Sequence, residues 1–191
     1  MRLSGSVAKT FLDHVIRRPN ALTMKKYCLR LLFIIIAFAF ATSALAQSLF
    51  VPTRASAAVA VIDPFTNQVL AQIPVGNYPI RLAMTPNRLK AFVSNGNDGT
   101  ISVLDTVART NTATIPVGRS PGESAITPDG ARLFVVHQRG DNRTCPVDVI
   151  DTATNQVITT VFIPGHWDKD ILFTPDGRSA YIATFQPEKW T

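Results

Sequence analysis

Ile73-Pro74-Val75-Gly76, Thr85-Pro86-Asn87, Phe92-Val93-Ser94-Asn95 and Ile101-Ser102-Val103-Leu104-Asp105 follow one another in this chain, and the same order then recurs. The second copy reads Ile115-Pro116-Val117-Gly118, Thr127-Pro128-Asp129-Gly130, Phe134-Val135-Val136-His137, Val147-Asp148-Val149-Ile150-Asp151. The third reads Ile163-Pro164-Gly165, Thr174-Pro175-Asp176-Gly177, Tyr181-Ile182-Ala183-Thr184. In every copy the glycine stands nine residues before the Thr-Pro pair (76 to 85, 118 to 127, 165 to 174). A period of about 40–45 residues that carries four short strands is what a propeller blade requires.

The strands follow from composition. After residue 57 the chain consists of five- to eight-residue runs rich in Val, Ile, Phe and Thr, bounded by Pro, Gly, Asn and Asp. No window keeps a 3.6-residue period, so helix is not expected there. In each copy, strand one ends in a Thr-Pro turn, where proline fixes φ at the second turn position. The first copy, Thr85-Pro86-Asn87-Arg88, lacks the turn glycine. Strands three and four are joined through Asp63, Asp105 or Asp151, whose carboxylates suit amides two residues on. The expected fold is all-β: a β-propeller of four-stranded antiparallel blades, incomplete at about three blade equivalents, preceded by a signal-peptide helix.

The first 46 residues read differently. Met24-Lys25-Lys26, the apolar run Leu31–Ala41 and Ala44-Leu45-Ala46 form the three parts of a secretory leader, with cleavage expected to leave Gln47 first. The apolar run is short for a bilayer span, which takes about 20 residues. Residues 24–46 are expected to be the signal, and residues 1–23, upstream of a complete signal, an over-extended start. The expected organisation continues with a lead-in at 47–57 and a partial propeller at 58–191. The latter comprises a half blade 58–75, blades 79–117 and 122–163, and a half blade 168–185. The formal net charge of +6 comes from this leader, which holds seven of the 19 basic residues and one of the 13 acids. The remainder is balanced at 12 of each, which removes the electrostatic case for nucleic acid. Membrane contact is expected only through an uncleaved signal. Cys145 is the one cysteine left after cleavage, so no internal disulfide can form.

The motifs Ile101-Ser102-Val103-Leu104-Asp105-Thr106, Ile-Pro-Val-Gly, Thr-Pro-Asp-Gly and Phe92-Val93-Ser94-Asn95 together resemble the YVTN β-propeller repeat family over about residues 58–185. That resemblance implies a bacterial periplasmic or secreted propeller with near seven blades. Three blade equivalents fall short of closure. The chain is therefore expected to be part of a longer ring, or to self-associate through exposed edges at Ala58–Asp63 and Ser179–Thr184.

Function on such a scaffold belongs to the loops. The connection from strand four to the next strand one lies beside the central channel and is the variable part of the repeat. It gathers Tyr78 and Arg81, Arg119 and Glu123, and His166, Trp167 and Asp170 as candidate ligand-binding residues. Arg81, Glu123 and Asp170 occupy equivalent positions and are expected to ring the channel mouth, where the competing reading is mutual neutralisation in salt bridges. No nucleophile elbow, phosphate loop or haem-attachment motif is present, and His137 and His166 lack the spacing of a structural metal site. No catalytic residue, metal or cofactor is assigned. The expected role is an exported binding scaffold for a protein or small ligand. The alternative is a lactonase-like or haem- or quinone-linked propeller using the same loops.

Overall fold

The computed structural model describes residues 48–118, 120–138, 144–164 and 166–185, the last stretch by backbone alone at 166–169, 184 and 185. The leader, the loop at 139–143 and Arg119 lie outside the described residues. Four antiparallel sheets follow in chain order. The first holds β1 (Leu49–Thr53), β2 (Ala58–Ile62) and β3 (Val69–Pro74). The second holds β4 (Pro79–Met84), β5 (Lys90–Asn95), β6 (Thr100–Asp105) and β7 (Thr110–Pro116). The third holds β8 (Pro121–Ile126), β9 (Arg132–His137), β10 (Thr144–Asp151) and β11 (Gln156–Pro164). The fourth holds β12 (His166–Phe173) and β13 (Ala180–Phe185). Among the described residues there is no helix, and none long and apolar enough to cross a membrane. The sheets are the blades of a propeller, and their first strands β4, β8 and β12 neighbour one another about its axis.

The middle strands are apolar on both sides because each blade is packed on both faces. In β5, Phe92 points forward into a core with Ile101, Val103, Leu133, Val135 and Ile150, between the second and third blades. Its neighbours Ala91 and Val93 point backward, against Val59, Val61 and Ile73 of the first blade. Val136, Cys145 and Val147 repeat the arrangement against Ile171 of the fourth blade, with Phe134 and Phe173 edge to face at 5.1 Å. Each fully buried Val, Leu, Ile or Phe contributes roughly 1.5–3 kcal/mol.

The turns hold as their chemistry requires. Thr85, Thr127 and Thr174 donate their hydroxyls to Asn87, Asp129 and Asp176 at 2.7, 2.6 and 2.5 Å. Asp63, Asp105 and Asp151 accept from the amides two residues on, at 2.8, 2.8 and 3.0 Å. A further lock joins successive blades. Pro86 of the second blade packs against Gly130 of the third, and Pro128 against Gly177 of the fourth.

The stretch 47–57, expected as a lead-in, contains β1. It pairs along β2 with Phe50 opposite Val61, the register that places Phe92 opposite Val103. Phe50-Val51 thus stands 42 residues before Phe92-Val93, as Phe92 stands 42 before Phe134. β1 is therefore the second-position strand of its blade, and the expected edge at Ala58–Asp63 is corrected: β2 is flanked on both sides, and among the described residues β1 carries the edge. Gly96 N–H donates toward β4, so the equivalent parity in β1 turns Pro52 toward that edge. Proline has no N–H to offer an incoming strand, which blunts the edge.

Gly130 has φ +76°, and a Cβ there would lie 3.2 Å from Pro86 Cδ. Arg88 occupies the equivalent place at φ +59°, where the turn glycine is missing. Gly130→Ala is expected to cost about 1–2 kcal/mol. Arg88→Gly relieves backbone strain while adding flexibility to the unfolded chain, so it is expected to be less destabilising than Gly130→Ala. Chemical denaturation of both variants checks the pair.

Candidate functional site

The channel-mouth loops are built on backbone strain that the repeat imposes. Tyr78 and Ser120, equivalent residues just before β4 and β8, have φ +57° and +52°. Their carbonyls accept from Gly96 N–H and Gln138 N–H, both at 2.9 Å. The left-handed backbone of Tyr78 is thus a property of the scaffold. The loop before it is held by Asp98, which accepts from Asn77 N–H at 2.6 Å and Asn77 Nδ2 at 3.0 Å. These bonds hold the Asp98 carboxyl below its ordinary range. A Cβ at Gly76 would fall 2.7 Å from the Asn95 side chain, so a larger residue there would force that side chain to shift.

Two side-chain pairs cross between blades on this rim. Arg54, from the turn after β1, lies over the Tyr78 ring with its guanidinium carbon 4.8 Å from the centroid, and donates to Tyr78 Oη at 3.3 Å. Arg81 of β4 is ion-paired through Nε with Glu123 of β8. The register confirms the expected equivalence. Leu82, Ser124 and Ile171 pair with Val93, Val135 and Ile182, which sets Arg81, Glu123 and Asp170 at one level of three successive innermost strands. Bulges fall at this level in all three strands, between Pro79 and Arg81, Pro121 and Ser124, and His166 and Asp170. Such a bulge re-aims the side chain it carries.

The structure thus joins Arg81 to Glu123, and Tyr78 to a residue that sequence reasoning passed over. Asp170 is exposed and accepts only the amide of Ile171, at 2.9 Å, making no ion pair among the described residues. His166 and Trp167 lie on the backbone of β12, and Arg119 lies outside the described residues. No group of three or more His, Cys, Asp or Glu able to hold a metal gathers among the described residues.

A second polar constellation lies inside the third blade. His137 Nε2 meets Asp148 Oδ2 at 2.9 Å, and both residues are buried. Thr160 donates to Asp148 Oδ1 at 2.6 Å, and Cys145 Sγ donates to the His137 carbonyl at 2.8 Å. Burial alone would push the Asp148 carboxyl up. The bonds from His137 and Thr160, with the His137 charge, outweigh it and hold Asp148 below its ordinary range. The second blade places Asn95 and Ser102 at these positions, bonded at 2.9 Å. The signal was therefore present in the repeat as two simultaneous departures on facing strands.

No family model and no curated protein matches the chain. Solved structures do. Hydrazine synthase from Kuenenia stuttgartiensis aligns at a TM-score of 0.53 and 20% identity, over 76% of this chain and 54% of that one. Dihydro-heme d1 dehydrogenase NirN, in complex with DHE, aligns at 0.59 and 15% identity, over 73% and 30%. The fold is a β-propeller. The chain spans about half or less of the length of these neighbours, and at such identities the likeness concerns architecture.

Because the folded Asp148 carboxyl titrates below the unfolded one, its stabilisation is complete above the unfolded carboxylate value near pH 4. It is lost as pH falls through the lower, folded value. Asp148→Asn is expected to cost about 1.5–3 kcal/mol at neutral pH, the range for a hydrogen bond to a charged group. It should also flatten the decline of stability between about pH 5 and pH 2. Denaturant midpoints across that range measure both effects; an acid decline parallel to wild type refutes the assignment.

Proposed function

We propose that the protein is an exported, non-enzymatic binding scaffold whose ligand sits on the channel-mouth rim. The observation that carries this reading is the uneven use of one repeat position. Arg81 and Glu123 neutralise each other across two innermost strands, while Asp170 at the third is exposed with no cationic partner among the described residues. Tyr78 adds a half-exposed aromatic ring already stacked on a guanidinium. Arg119, His166 and Trp167 complete the candidate set. The resemblance of the repeat to YVTN propellers, the leader-like residues 24–46 and the balanced charge beyond them support a bacterial periplasmic or secreted location, and a protein or small-molecule partner rather than nucleic acid.

A second reading has the same loops serve a redox or hydrolytic propeller, lactonase-like or haem- or quinone-linked. The names of the two structural neighbours, a hydrazine synthase and a dihydro-haem d1 dehydrogenase, favour it. Adding haemin to the purified protein separates the two readings. A saturable Soret shift supports the second, and its absence the first.

The rim pair should contribute little to stability, because Arg81 is half exposed. A double-mutant cycle with Arg81→Ala and Glu123→Ala should return a coupling of about 0.5 kcal/mol. The same variants should redistribute amide shifts in NMR titrations with small charged molecules, which are expected to cluster at Tyr78, Arg81, Glu123 and Asp170 in the wild type. Shifts that avoid these residues would place the ligand elsewhere.

A further inference from the structure

At the opposite end of the blades from the channel mouth, the second and third blades part around a cleft of about 400 Å³. Its walls include Pro86, Asn87, Leu89 and Lys90 from the second blade and Asp129 and Thr152 from the third. The size is that of a small-molecule site.

The charge in this cleft comes from a departure in the repeat. The third and fourth blades carry Asp129 and Asp176 at the turn position that Asn87 fills in the second. In the third blade a turn carrying the carboxylate Asp129 is followed by the basic residue Arg132, although the two make no ion pair within 4.0 Å. The counterpart of Arg132 in the second blade is Lys90, and there the turn offers an amide instead of a carboxylate. Asp105 stands opposite Lys90 in the register, but its Oδ1 accepts the amides of Val107 and Ala108, both at 2.8 Å. No carboxylate oxygen among the described residues comes within 4.0 Å of Lys90 Nζ. The ammonium, half-buried, donates to the Thr152 carbonyl at 2.8 Å, which leaves two N–H donors. An ammonium that faces a cleft with spare N–H donors and no carboxylate within reach can take up an anion.

The remaining groups define what that anion belongs to. Asn87 Oδ1 accepts from Thr85 Oγ1 at 2.7 Å and from Leu89 N–H at 3.0 Å, so its Nδ2 is left as a donor in the cleft wall. Asp129 Oδ1 accepts from Thr127 Oγ1 at 2.6 Å and Ala131 N–H at 2.9 Å, with its other oxygen available. A simple anion meets repulsion from Asp129, and a simple cation meets it from Lys90. Leu89, 53% exposed, and Pro86 add an apolar surface.

We propose that this cleft binds a small zwitterion of the α-amino carboxylate class. The carboxylate is held by Lys90 and Asn87, the ammonium lies toward Asp129, and an apolar side chain rests on Leu89 and Pro86. The site is separate from the channel-mouth rim and stands whether or not that rim binds anything.

The test uses three probes on the exported protein: L-leucine, isovalerate and isoamylamine, followed by the amide resonances of Leu89, Lys90 and Gly130. Leucine is expected to saturate these shifts. Isovalerate and isoamylamine, each lacking one charge, should bind at least tenfold more weakly. Asn87→Asp restores the residue type of the other two turns, so it should not lower the melting temperature. By supplying Lys90 with an internal partner it should weaken leucine at least tenfold. Lys90→Met should abolish the shifts. Leucine failing to saturate them, isovalerate binding as tightly as leucine, or Asn87→Asp binding like wild type would each overturn the proposal. Shifts at Tyr78 or Arg81 report on the other end of the blades and do not count toward it.

Discussion

The structure depends on sheets that are apolar on both faces. Each middle strand sends alternate residues into two different cores, as Phe92 and Val93 do in β5. A blade is therefore stable only between neighbours, and the stability of the array is a sum of interfaces rather than one central core. This explains why the sequence shows nearly continuous hydrophobic runs in β5 and β6 and not a strict alternation of apolar and polar residues. It also explains why Val161 of β11, paired to Val147 as Ile115 is to Ile101, is half exposed while Ile115 is buried. Among the described residues the fourth blade contributes two strands, and the outer part of the third has no blade against it.

Given that constraint, the blade ends are free to differ, and the two ends differ in kind. The end with the Thr-Pro turns is locked by hydroxyl–carboxylate bonds and by the Pro86–Gly130 and Pro128–Gly177 contacts. The other end carries the strained Tyr78 and Ser120 and the bulges that open the innermost strands. Rigid turns at one end allow irregular loops at the other without loss of register. The departures from the repeat fall at both ends: Arg81, Glu123 and Asp170 at the rim, and Asn87 at the turn. Inside the third blade, too, two positions depart from the repeat together: His137 and Asp148 stand where the second blade has Asn95 and Ser102, and each pair is hydrogen-bonded.

The sequence by itself determined the repeat, the four-strand blade, the Asp and Thr-Pro turns and the equivalence of Arg81, Glu123 and Asp170. Each is fixed by local chemistry or by a spacing, and both survive in one dimension. Even β1 was legible in principle, since Phe50-Val51 keeps the 42-residue spacing, but Pro52 and Thr53 disguise the rest of the motif. Only the tertiary structure decided what those positions do. Whether Arg81 meets Glu123 depends on how closely two blades approach, and whether Tyr78 finds Arg54 depends on a turn in the preceding blade. The isolation of Lys90 depends on distances to Asp105 and Asp129 that no spacing encodes. Repeats specify a blade from within, whereas ion pairs, clefts and buried networks are made between strands and between blades, where geometry and not order along the chain sets which groups meet.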